Sequence, residues 1–307
     1  MSELSDSISI QPLQQTDLPS LVSLYNVSYA DSPEFVPLDV RTLGYLTFRH
    51  PRFDPAFTLV AWCNSNPVGF VLLHRYEEHG AAAVIKVICV KPEFRRRGIG
   101  KELLKEASEF AAKSGLMILI APQVDERNQL ALQFFESLGF RPISHICSLR
   151  RNLQNYFPRK GKMPKGTRVA KCTEVSVAEL TEAYNVIFKD HQGGLSSGDL
   201  EHLIGNPNFI KEASFVAKDS GKIVSLLMNE KRGTSAHIFY LGTIPSYEGR
   251  GLATLLLDIA LRSCKELGFP SVSTEVVFFN FVARHIFEKA KFVEDHGSIT
   301  LRKKLLA

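Results

Sequence analysis

The stretch Val90-Lys91-Pro92-Glu93-Phe94-Arg95-Arg96-Arg97-Gly98-Ile99-Gly100 decides the fold of this chain. An apolar strand ends at a proline, a basic and glycine-rich loop follows, and a run with helical periodicity begins directly after the loop. The register returns 153 residues later in Thr243-Ile244-Pro245-Ser246-Tyr247-Glu248-Gly249-Arg250-Gly251-Leu252-Ala253. Because order and spacing are both preserved, the pattern predicts two copies of one domain.

Residues outside the loop repeat in the same order. Downstream, the first copy has Asn128, Ala131, Phe135 and Phe140, and the second has Asn280, Ala283, Phe287 and Phe292. A length of 307 residues fits two domains that each bury a core. We expect an N-terminal domain at residues 1–153, a basic linker at 154–167 and a C-terminal domain at 168–307.

Composition and charge limit the class of protein. No window approaches the roughly 20 apolar residues of a membrane span, and the polar N-terminal segment lacks the regions of a signal peptide, so a cytoplasmic location is expected. The five cysteines have no metal-site spacing, and no metal is expected. The basic stretch 150–171 contains no acidic residue. It indicates either an anionic partner or a solvated connector, and without a set of aromatic side chains it argues against a nucleic-acid binder.

Periodicity predicts the same order of elements in each half. A strand and a helix come first, three strands lead into the glycine loop, and a helix, a strand, a helix and a final strand follow it in the first half. The expected fold class is α/β (α+β), with a central mixed sheet flanked by helices in each of two tandem domains.

The glycine loop has the properties of a phosphate site. A loop that opens a helix collects several backbone N–H groups and the positive end of the helix dipole at one place. The loop lacks the pattern of a P-loop, and no G-x-G-x-x-G opens a βαβ unit here. An ordinary tight turn explains one copy alone, but two copies in register favour the phosphate interpretation.

Two separated motifs carry a family resemblance. The pattern Val90-x-Pro92-x-x-Arg95-x-x-Gly98-x-Gly100, followed by Asn128-x-x-Ala131-x-x-x-Phe135, resembles the acetyl-CoA-binding core of the GNAT superfamily of N-acetyltransferases. The whole chain resembles the tandem members of that family. The resemblance implies that loop amides hold the CoA pyrophosphate, that the preceding strand pairs with the pantetheine arm, and that the later Asn contacts the cofactor.

By position, the resemblance implies cofactor-binding residues in both copies. In the first copy these are Ile88, Cys89, Val90, Arg95, Arg96, Arg97, Gly98, Ile99, Gly100 and Asn128. In the second copy they are Leu241, Gly242, Thr243, Gly249, Arg250, Gly251, Leu252, Ala253 and Asn280. Glu248 departs from the Arg or Gln of the family and would repel a solvated pyrophosphate by about 1 kcal/mol.

The catalytic positions depart from the family pattern as well. The family's proton-donating Tyr is replaced by Phe135 and Phe287, so either the departing thiolate takes its proton from water or another group, or the copy is inactive. The general-base position, eight residues before the proline, holds Val84 in the first copy and His237 in the second. Imidazole can accept a proton at neutral pH, and Glu275 on the following strand is the alternative base.

Two functions follow as hypotheses. The first is an acetyl-CoA-dependent N-acetyltransferase in which one domain is catalytic and the other is mainly cofactor-binding or structural. The second is a non-catalytic acyl-CoA-binding sensor or interaction protein, which the loss of both Tyr residues favours. The acceptor is a small-molecule or peptide amine, which the acidic residues Asp31, Glu34 and Asp190 would attract. The sequence identifies neither the acceptor nor the oligomeric state.

Overall fold

The computed structural model describes residues 7–32, 35–76, 81–157, 163–189 and 194–305. Glu34, Asp190 and residues 158–162 of the expected linker lie outside these ranges. The chain divides into two compact units. The first unit contains residues 1–144 and 299–307, and the second contains residues 145–298.

The first half of the chain contains the elements β1 (Ile8–Pro12), α1 (Leu18–Tyr29), α2 (Val40–Leu46), β2 (Leu59–Cys63), β3 (Asn66–Tyr76), β4 (Ala82–Val90), α3 (Ile99–Lys113), β5 (Ile118–Asp125), α4 (Gln129–Ser137) and β6 (Arg141–Asn152). The second half contains β7 (Thr167–Lys171), α5 (Val177–Ile187), α6 (Ser197–Gly205), β8 (Phe215–Asp219), β9 (Lys222–Arg232), β10 (Ser235–Thr243), α7 (Leu252–Glu266), β11 (Ser271–Val277), α8 (Phe281–Lys289) and β12 (Val293–Lys304).

The repeated order of elements confirms the predicted α/β architecture in two tandem copies. The periodicity did not predict α6. Its signal was a capping box, in which the Ser196 hydroxyl accepts from the Asp199 N–H and the Asp199 carboxylate accepts from the Ser196 N–H.

Each unit is built on a mixed sheet. In the first unit the strands lie in the order β1-β2-β3-β4-β5, followed by the part of β12 that begins at residue 299. In the second unit the order is β7-β8-β9-β10-β11, next to the second part of β6. The pairs β4–β5 and β10–β11 are parallel. A parallel pair needs a crossover connection, and α3 and α7 supply it.

Helices cover both faces of each sheet. In the first unit, one core cluster joins the sheet to α3 and α4, and a second joins it to α1 and α2. In the second unit, α7 and α8 cover one face, and α5 and α6 cover the other. Because α3 and α7 pack against the sheets, they fix the positions of the glycine loops at their N-termini.

The compact units differ from the domain limits expected at residues 153 and 168. Cys147, Leu149 and Tyr156 belong to the core of the second unit, and the Tyr156 hydroxyl donates to the Asp258 carboxylate over 2.7 Å. Leu301 belongs to the core of the first unit, where the Leu305 N–H donates to the Met117 carbonyl over 2.8 Å. Each unit therefore includes a strand segment from the other half of the sequence.

Replacing Leu301 with alanine is expected to destabilise the first unit by about 2–5 kcal/mol, because the side chain is 1% exposed and its removal leaves a cavity. Urea unfolding measures the loss, and hydrogen exchange should rise in β4 and β5. Leu130→Ala, at a position that is 68% exposed, is the matched control and should change the stability by less than about 0.5 kcal/mol. Faster exchange confined to residues 145–298 would contradict the placement of residues 299–305.

Candidate functional site

Each unit contains two parallel strands that pair at one end and part at the other. β4 pairs with β5 only from Ala82↔Ile118 to Val84↔Ile120, although both strands are described to their ends. β10 pairs with β11 only from Ala236↔Val272 to Ile238↔Thr274. Beyond these pairs, each sheet has an opening between two of its central strands.

A β-bulge lies at the start of each opening. On β4 the register with β3 skips Lys86, and on β10 the register with β9 skips Phe239. A bulge bends its strand and increases the local twist. The bulges therefore explain why β4 and β10 turn away from their parallel neighbours.

The pairing pattern decides which backbone groups face the opening. The Lys91 N–H donates to Val68 O, so alternation along the antiparallel ladder turns the groups of Ile88 and Val90 away from β3 and towards the opening. The Cys89 groups face β3. In the second unit, the bond from Ile244 N–H to Val224 O sets the same pattern.

The groups of Leu241 and Thr243 therefore face the second opening, and those of Gly242 face β9. In each copy, three residues were expected to pair with a pantetheine arm. Two of the three have backbone groups that face the opening and can make this pairing. Cys89 and Gly242 are the exceptions.

Both glycine loops have the geometry of an anion site. Gly98 (φ 83°) and Gly251 (φ 80°) are left-handed N-caps of α3 and α7. The first capping bonds run from Glu102 N–H to Gly98 O (3.0 Å) and from Leu255 N–H to Gly251 O (2.9 Å). The backbone N–H groups that come before Glu102 and Leu255 in the chain, including those of Ile99 and Leu252, therefore make no hydrogen bond within the helix.

The basic side chains of the loops are partly engaged. The Arg97 guanidinium lies 4.9 Å from the centre of the Phe94 ring, and that of Arg250 lies 4.4 Å from the centre of the Tyr247 ring. Arg96 has a left-handed backbone (φ 64°) where the second loop has Gly249 (φ 72°). Stacked guanidinium groups keep their charge beside the loop amides.

Asn128 and Asn280 cap the helices α4 and α8. The side-chain oxygens accept from the N–H groups of Ala131 and Ala283, both over 3.0 Å. The cap uses the oxygen of each side chain. The amide nitrogen of each asparagine is the atom that can donate to a bound molecule.

In the first unit, the chain's own side chains bind the carbonyls that face the opening. The Tyr29 hydroxyl donates to Ile88 O over 2.9 Å. Arg95 donates through Nε to Val90 O (3.1 Å) and through an η-nitrogen to Ser28 O (2.6 Å). We call Tyr29 and Arg95 the first-unit clasp, because together they tie the end of α1 to β4.

Among the described residues of the second unit, the positions that match the clasp hold no equivalent donor. Phe188 and Glu248 occupy the positions of Tyr29 and Arg95. A phenyl ring and a carboxylate cannot donate a hydrogen bond. The end of α5 instead packs directly on Gly242, where a Cβ atom would overlap Ile187 Cγ2 and lie 2.9 Å from Phe188 Cζ.

His237 lies where β10 and β11 begin to part. Its Nδ1 is 2.9 Å from the Ser273 hydroxyl, and its Nε2 is 3.7 Å from a carboxylate oxygen of Glu275. The other oxygen of Glu275 accepts from Arg232 over 3.0 Å. Arg232 also binds Glu230 over 2.8 Å. The side chain of His237 is therefore held between a hydroxyl and an ion-paired carboxylate.

The surroundings of His237 favour the neutral imidazole. Burial is the largest cause, and the cationic groups of Arg232 and Arg150 add to it, so the pKa of His237 lies well below its ordinary value of 6.5. At neutral pH the ring is unprotonated and has a lone pair that can accept a proton.

The phenylalanines at the positions of the family's tyrosine lie in the cores of the two units. Phe135 and Phe287 are buried and each packs edge-on against a second phenylalanine, Phe140 or Phe292.

All five cysteines are buried, and burial raises the pKa of Cys89 to about 12. Among the described residues, no group of three or more potential ligands could hold a metal ion. No helix in the described part of the chain is long and apolar enough to span a membrane.

The family follows from a comparison with known proteins. The model of the acetyltransferase (GNAT) family matches residues 19–140 and 179–292, which together are more than half of the chain. The chain belongs to the GNAT acetyltransferase family. It is therefore an acyltransferase with an acyl-CoA donor, as the sequence resemblance predicted.

Curated relatives of this GNAT protein include mycothiol acetyltransferases. That of Clavibacter sepedonicus is 24% identical over 254 residues, 81% of this chain and 81% of the relative. That of Brachybacterium faecium is 29% identical over 224 residues, 69% of this chain and 66% of the relative. A solved tandem GNAT protein from the clavulanic acid biosynthesis pathway has a TM-score of 0.77 at 17% identity, over 98% of this chain and 99% of that one. This structural likeness gives the tandem fold.

Two contacts in the candidate sites were not predicted from the sequence. Ser273 was not singled out, although it is the third residue of β11 as His237 is the third residue of β10. The sequence pattern gives Tyr29 no role at β4, whereas its hydroxyl donates to Ile88 O. The first could have been found by aligning the two parallel strands, and the second had no local signal.

Gly242→Ala is expected to lower the free energy of unfolding by about 1–3 kcal/mol, because the new methyl group overlaps the end of α5. Gly100→Ala is the matched control, since its Cβ would lie 3.5 Å from both Phe134 and Val90 and the second copy has Ala253 there. Urea unfolding should show a change below about 0.5 kcal/mol for the control. Equal losses in the two variants would contradict the close packing on Gly242.

Proposed function

We propose that this chain transfers an acetyl group from acetyl-CoA to a primary amine, and that transfer occurs in the second unit with His237 as the base. The observation that carries the proposal is the Ser273–His237–Glu275 cluster at the point where β10 and β11 part. Val84 holds the same position in the first copy and cannot accept a proton.

The donor site is proposed from backbone groups. The amides at the start of α7 would receive the pyrophosphate, and Leu241 and Thr243 would pair with the pantetheine arm as a strand does. Asn280 would donate to the arm through its amide nitrogen. Glu248 weakens the attraction for the phosphates, while Arg250 beside Tyr247 opposes that effect.

The proposed reaction needs one proton acceptor. As the amine nitrogen attacks the thioester carbon, the C–N bond forms and the amine loses one proton. The C–S bond breaks, and the CoA thiolate leaves and takes a proton from water. His237 accepts the amine proton directly or through the Ser273 hydroxyl, which gives its own proton to Nδ1 as it takes one from the amine. Glu275 faces Nε2 and stabilises the imidazolium that forms.

The first unit is proposed to bind the cofactor without turnover. Its loop keeps Arg95, Arg96 and Arg97 and the left-handed Gly98, which supports a phosphate site. The clasp, however, already binds the carbonyls of Ile88 and Val90 that a pantetheine arm would use. The acceptor is proposed to be a small-molecule or peptide amine, and the name of the mycothiol acetyltransferase relatives supports a mycothiol-like small molecule.

His237→Ala is expected to lower kcat by about 10²–10⁴-fold and to leave acetyl-CoA affinity within about twofold, because only proton transfer is lost. Steady-state kinetics and calorimetry measure the two quantities. Val84→Ala, the same position in the first copy, is the control and should retain full kcat. A near-normal kcat in His237→Ala would reject the assignment of the base.

The pH profile gives an independent test of the base. The neutral imidazole is the active form, and its pKa is lowered in the folded protein, so the ring stays active at lower pH than an ordinary histidine. The acid limb of kcat should therefore lie below pH 6.5. An acid limb centred above that value would contradict the environment described for His237.

Gly98→Asp is expected to weaken acetyl-CoA binding at the first unit at least tenfold, because it places a carboxylate beside the loop amides. Gly98→Asn is the matched control, since Asn tolerates a left-handed backbone and carries no charge. Calorimetry should show one of two binding events weakened by Asp, and kcat should change by less than about twofold. Loss of turnover in Gly98→Asp would instead assign catalysis to the first unit.

A further inference from the structure

The His237 cluster contains a group that the proposed reaction uses only to pass on a proton, the hydroxyl of Ser273. His237 and Ser273 are direct partners in the register of β10 and β11, and the hydroxyl lies 2.9 Å from Nδ1 of the imidazole. On the other side of the ring, a carboxylate oxygen of Glu275 lies 3.7 Å from Nε2. A hydroxyl, an imidazole and a carboxylate in this order are the parts of a serine nucleophile with its base.

The surroundings of the ring favour the tautomer that such a nucleophile needs. The carboxylate of Glu275 attracts a proton on Nε2, which leaves the lone pair of Nδ1 directed at the Ser273 hydroxyl. Glu275 is itself held in place, because its other oxygen accepts from Arg232 over 3.0 Å. Burial, together with the charges of Arg232 and Arg150, lowers the pKa of His237, so the ring is neutral at neutral pH. The Ser273 hydroxyl therefore has a proton acceptor within hydrogen-bond distance.

The hydroxyl of Ser273 lies where the thioester of the proposed donor would arrive. The pairing of β10 with β11 ends at Ile238↔Thr274, one residue beyond the pair of His237 and Ser273. Thr274 is buried, and its hydroxyl donates to Ile238 O over 3.0 Å. Ser273 is half-buried, and its hydroxyl lies beside the imidazole. Of these two neighbouring hydroxyl groups, that of Ser273 is thus the one with a base at the fork.

The fold does not require the three polar groups of this cluster. At the positions of the imidazole, the hydroxyl and the carboxylate, the first copy has Val84, Ile120 and Pro122. The parallel strands of the first unit pair in the same register, with Val84 opposite Ile120. Since the strand pair forms with apolar residues at all three positions, the polar set of the second unit indicates a chemical role.

We propose that the second unit also hydrolyses acetyl-CoA when no amine is bound, with Ser273 as the nucleophile and an acetyl ester of Ser273 as the intermediate. This activity rests on the donor site of the proposed function and adds water as a second acceptor. It makes Ser273 a catalytic residue in its own right.

The first step forms the ester. Oγ of Ser273 attacks the thioester carbon, His237 accepts the hydroxyl proton, and the C–S bond breaks. The imidazolium then gives that proton to the CoA thiolate. Because burial and the neighbouring cations disfavour the protonated ring, the imidazolium is a ready donor, and it supplies the proton that Phe287 cannot.

The second step returns the enzyme to its starting state. His237 accepts a proton from water as the water oxygen bonds to the ester carbon. The bond between that carbon and Oγ of Ser273 breaks, the proton passes from the imidazolium to Oγ, and acetic acid leaves. The two steps together convert acetyl-CoA and water to CoA and acetic acid, with no other reactant.

The test looks for the ester and for the released CoA in the full chain. Acetyl-CoA is mixed with the protein without an amine, samples are quenched in acid, and peptides are analysed by mass spectrometry. A thiol reagent follows free CoA. Because an oxygen ester is less reactive than a thioester, the ester should accumulate, with an initial release of about one CoA per chain before a slower steady release. We expect one acetyl group, located on Ser273.

Three variants assign the reaction to this hydroxyl. Ser273→Ala should lose the acetylated peptide and slow the hydrolysis about a hundredfold or more, because no nucleophile remains. Ser273→Cys keeps a nucleophile at the same place and should carry the acetyl group as a thioester. Ser271→Ala is the matched control on the same strand, where the hydroxyl lies 2.8 Å from that of Ser235, and it should match the parent protein. Thermal unfolding verifies that the variants are folded.

The outcomes separate the two proposals. Acetyl-CoA that stays intact without an amine, while amines are acetylated, would overturn the inference and leave the proposed function standing. Equal hydrolysis by Ser273→Ala and the parent protein would show that water attacks the thioester directly, and this result would also overturn the inference. An acetyl ester on Ser273 in a protein that acetylates no amine would support the inference and reject the proposed function.

Discussion

The parting of two parallel strands is the constraint on which both candidate sites depend. An unpaired strand edge inside a sheet leaves backbone N–H and C=O groups without their usual partners, which is costly unless another group binds them. The bulges at Lys86 and Phe239 produce this edge in each unit. The glycine loops lie directly beyond it, so a ligand with phosphates and a peptide-like arm can satisfy the loop and the edge together.

The two copies meet this constraint in different ways. In the first unit, Tyr29 and Arg95 bind the exposed carbonyls, and the base position holds Val84. In the second unit, Phe188 and Glu248 cannot do so, and His237 lies at the fork. Three substitutions at matching positions thus separate a unit whose own side chains bind the strand edge from one in which the positions of the clasp hold no donor.

Local pattern was enough to predict much of this GNAT protein. The proline, the glycines and the helix cap at Asn128 act within a few residues of one another, so the loop and its repeat could be found from the sequence. Counting back from Pro245 also found His237. These features depend on backbone conformation and short spacing, which a sequence displays directly.

Contacts between distant segments could not be predicted in the same way. The placement of Leu301 in the first core depends on strand pairing between segments far apart in the chain. The bond from Tyr29 to Ile88 joins α1 to β4 across a sequence separation of 59 residues. Ser273 becomes a partner of His237 only through the register of β10 against β11. Each of these requires the packed fold, because no local preference specifies it.

A crystal structure of the protein with acetyl-CoA tests the central claim most directly. The account predicts that the pantetheine arm lies between β10 and β11, pairs with Leu241 and Thr243, and brings the thioester to the side of the fork that carries His237. An arm found between β4 and β5, with Tyr29 displaced from Ile88 and the second opening empty, would contradict it.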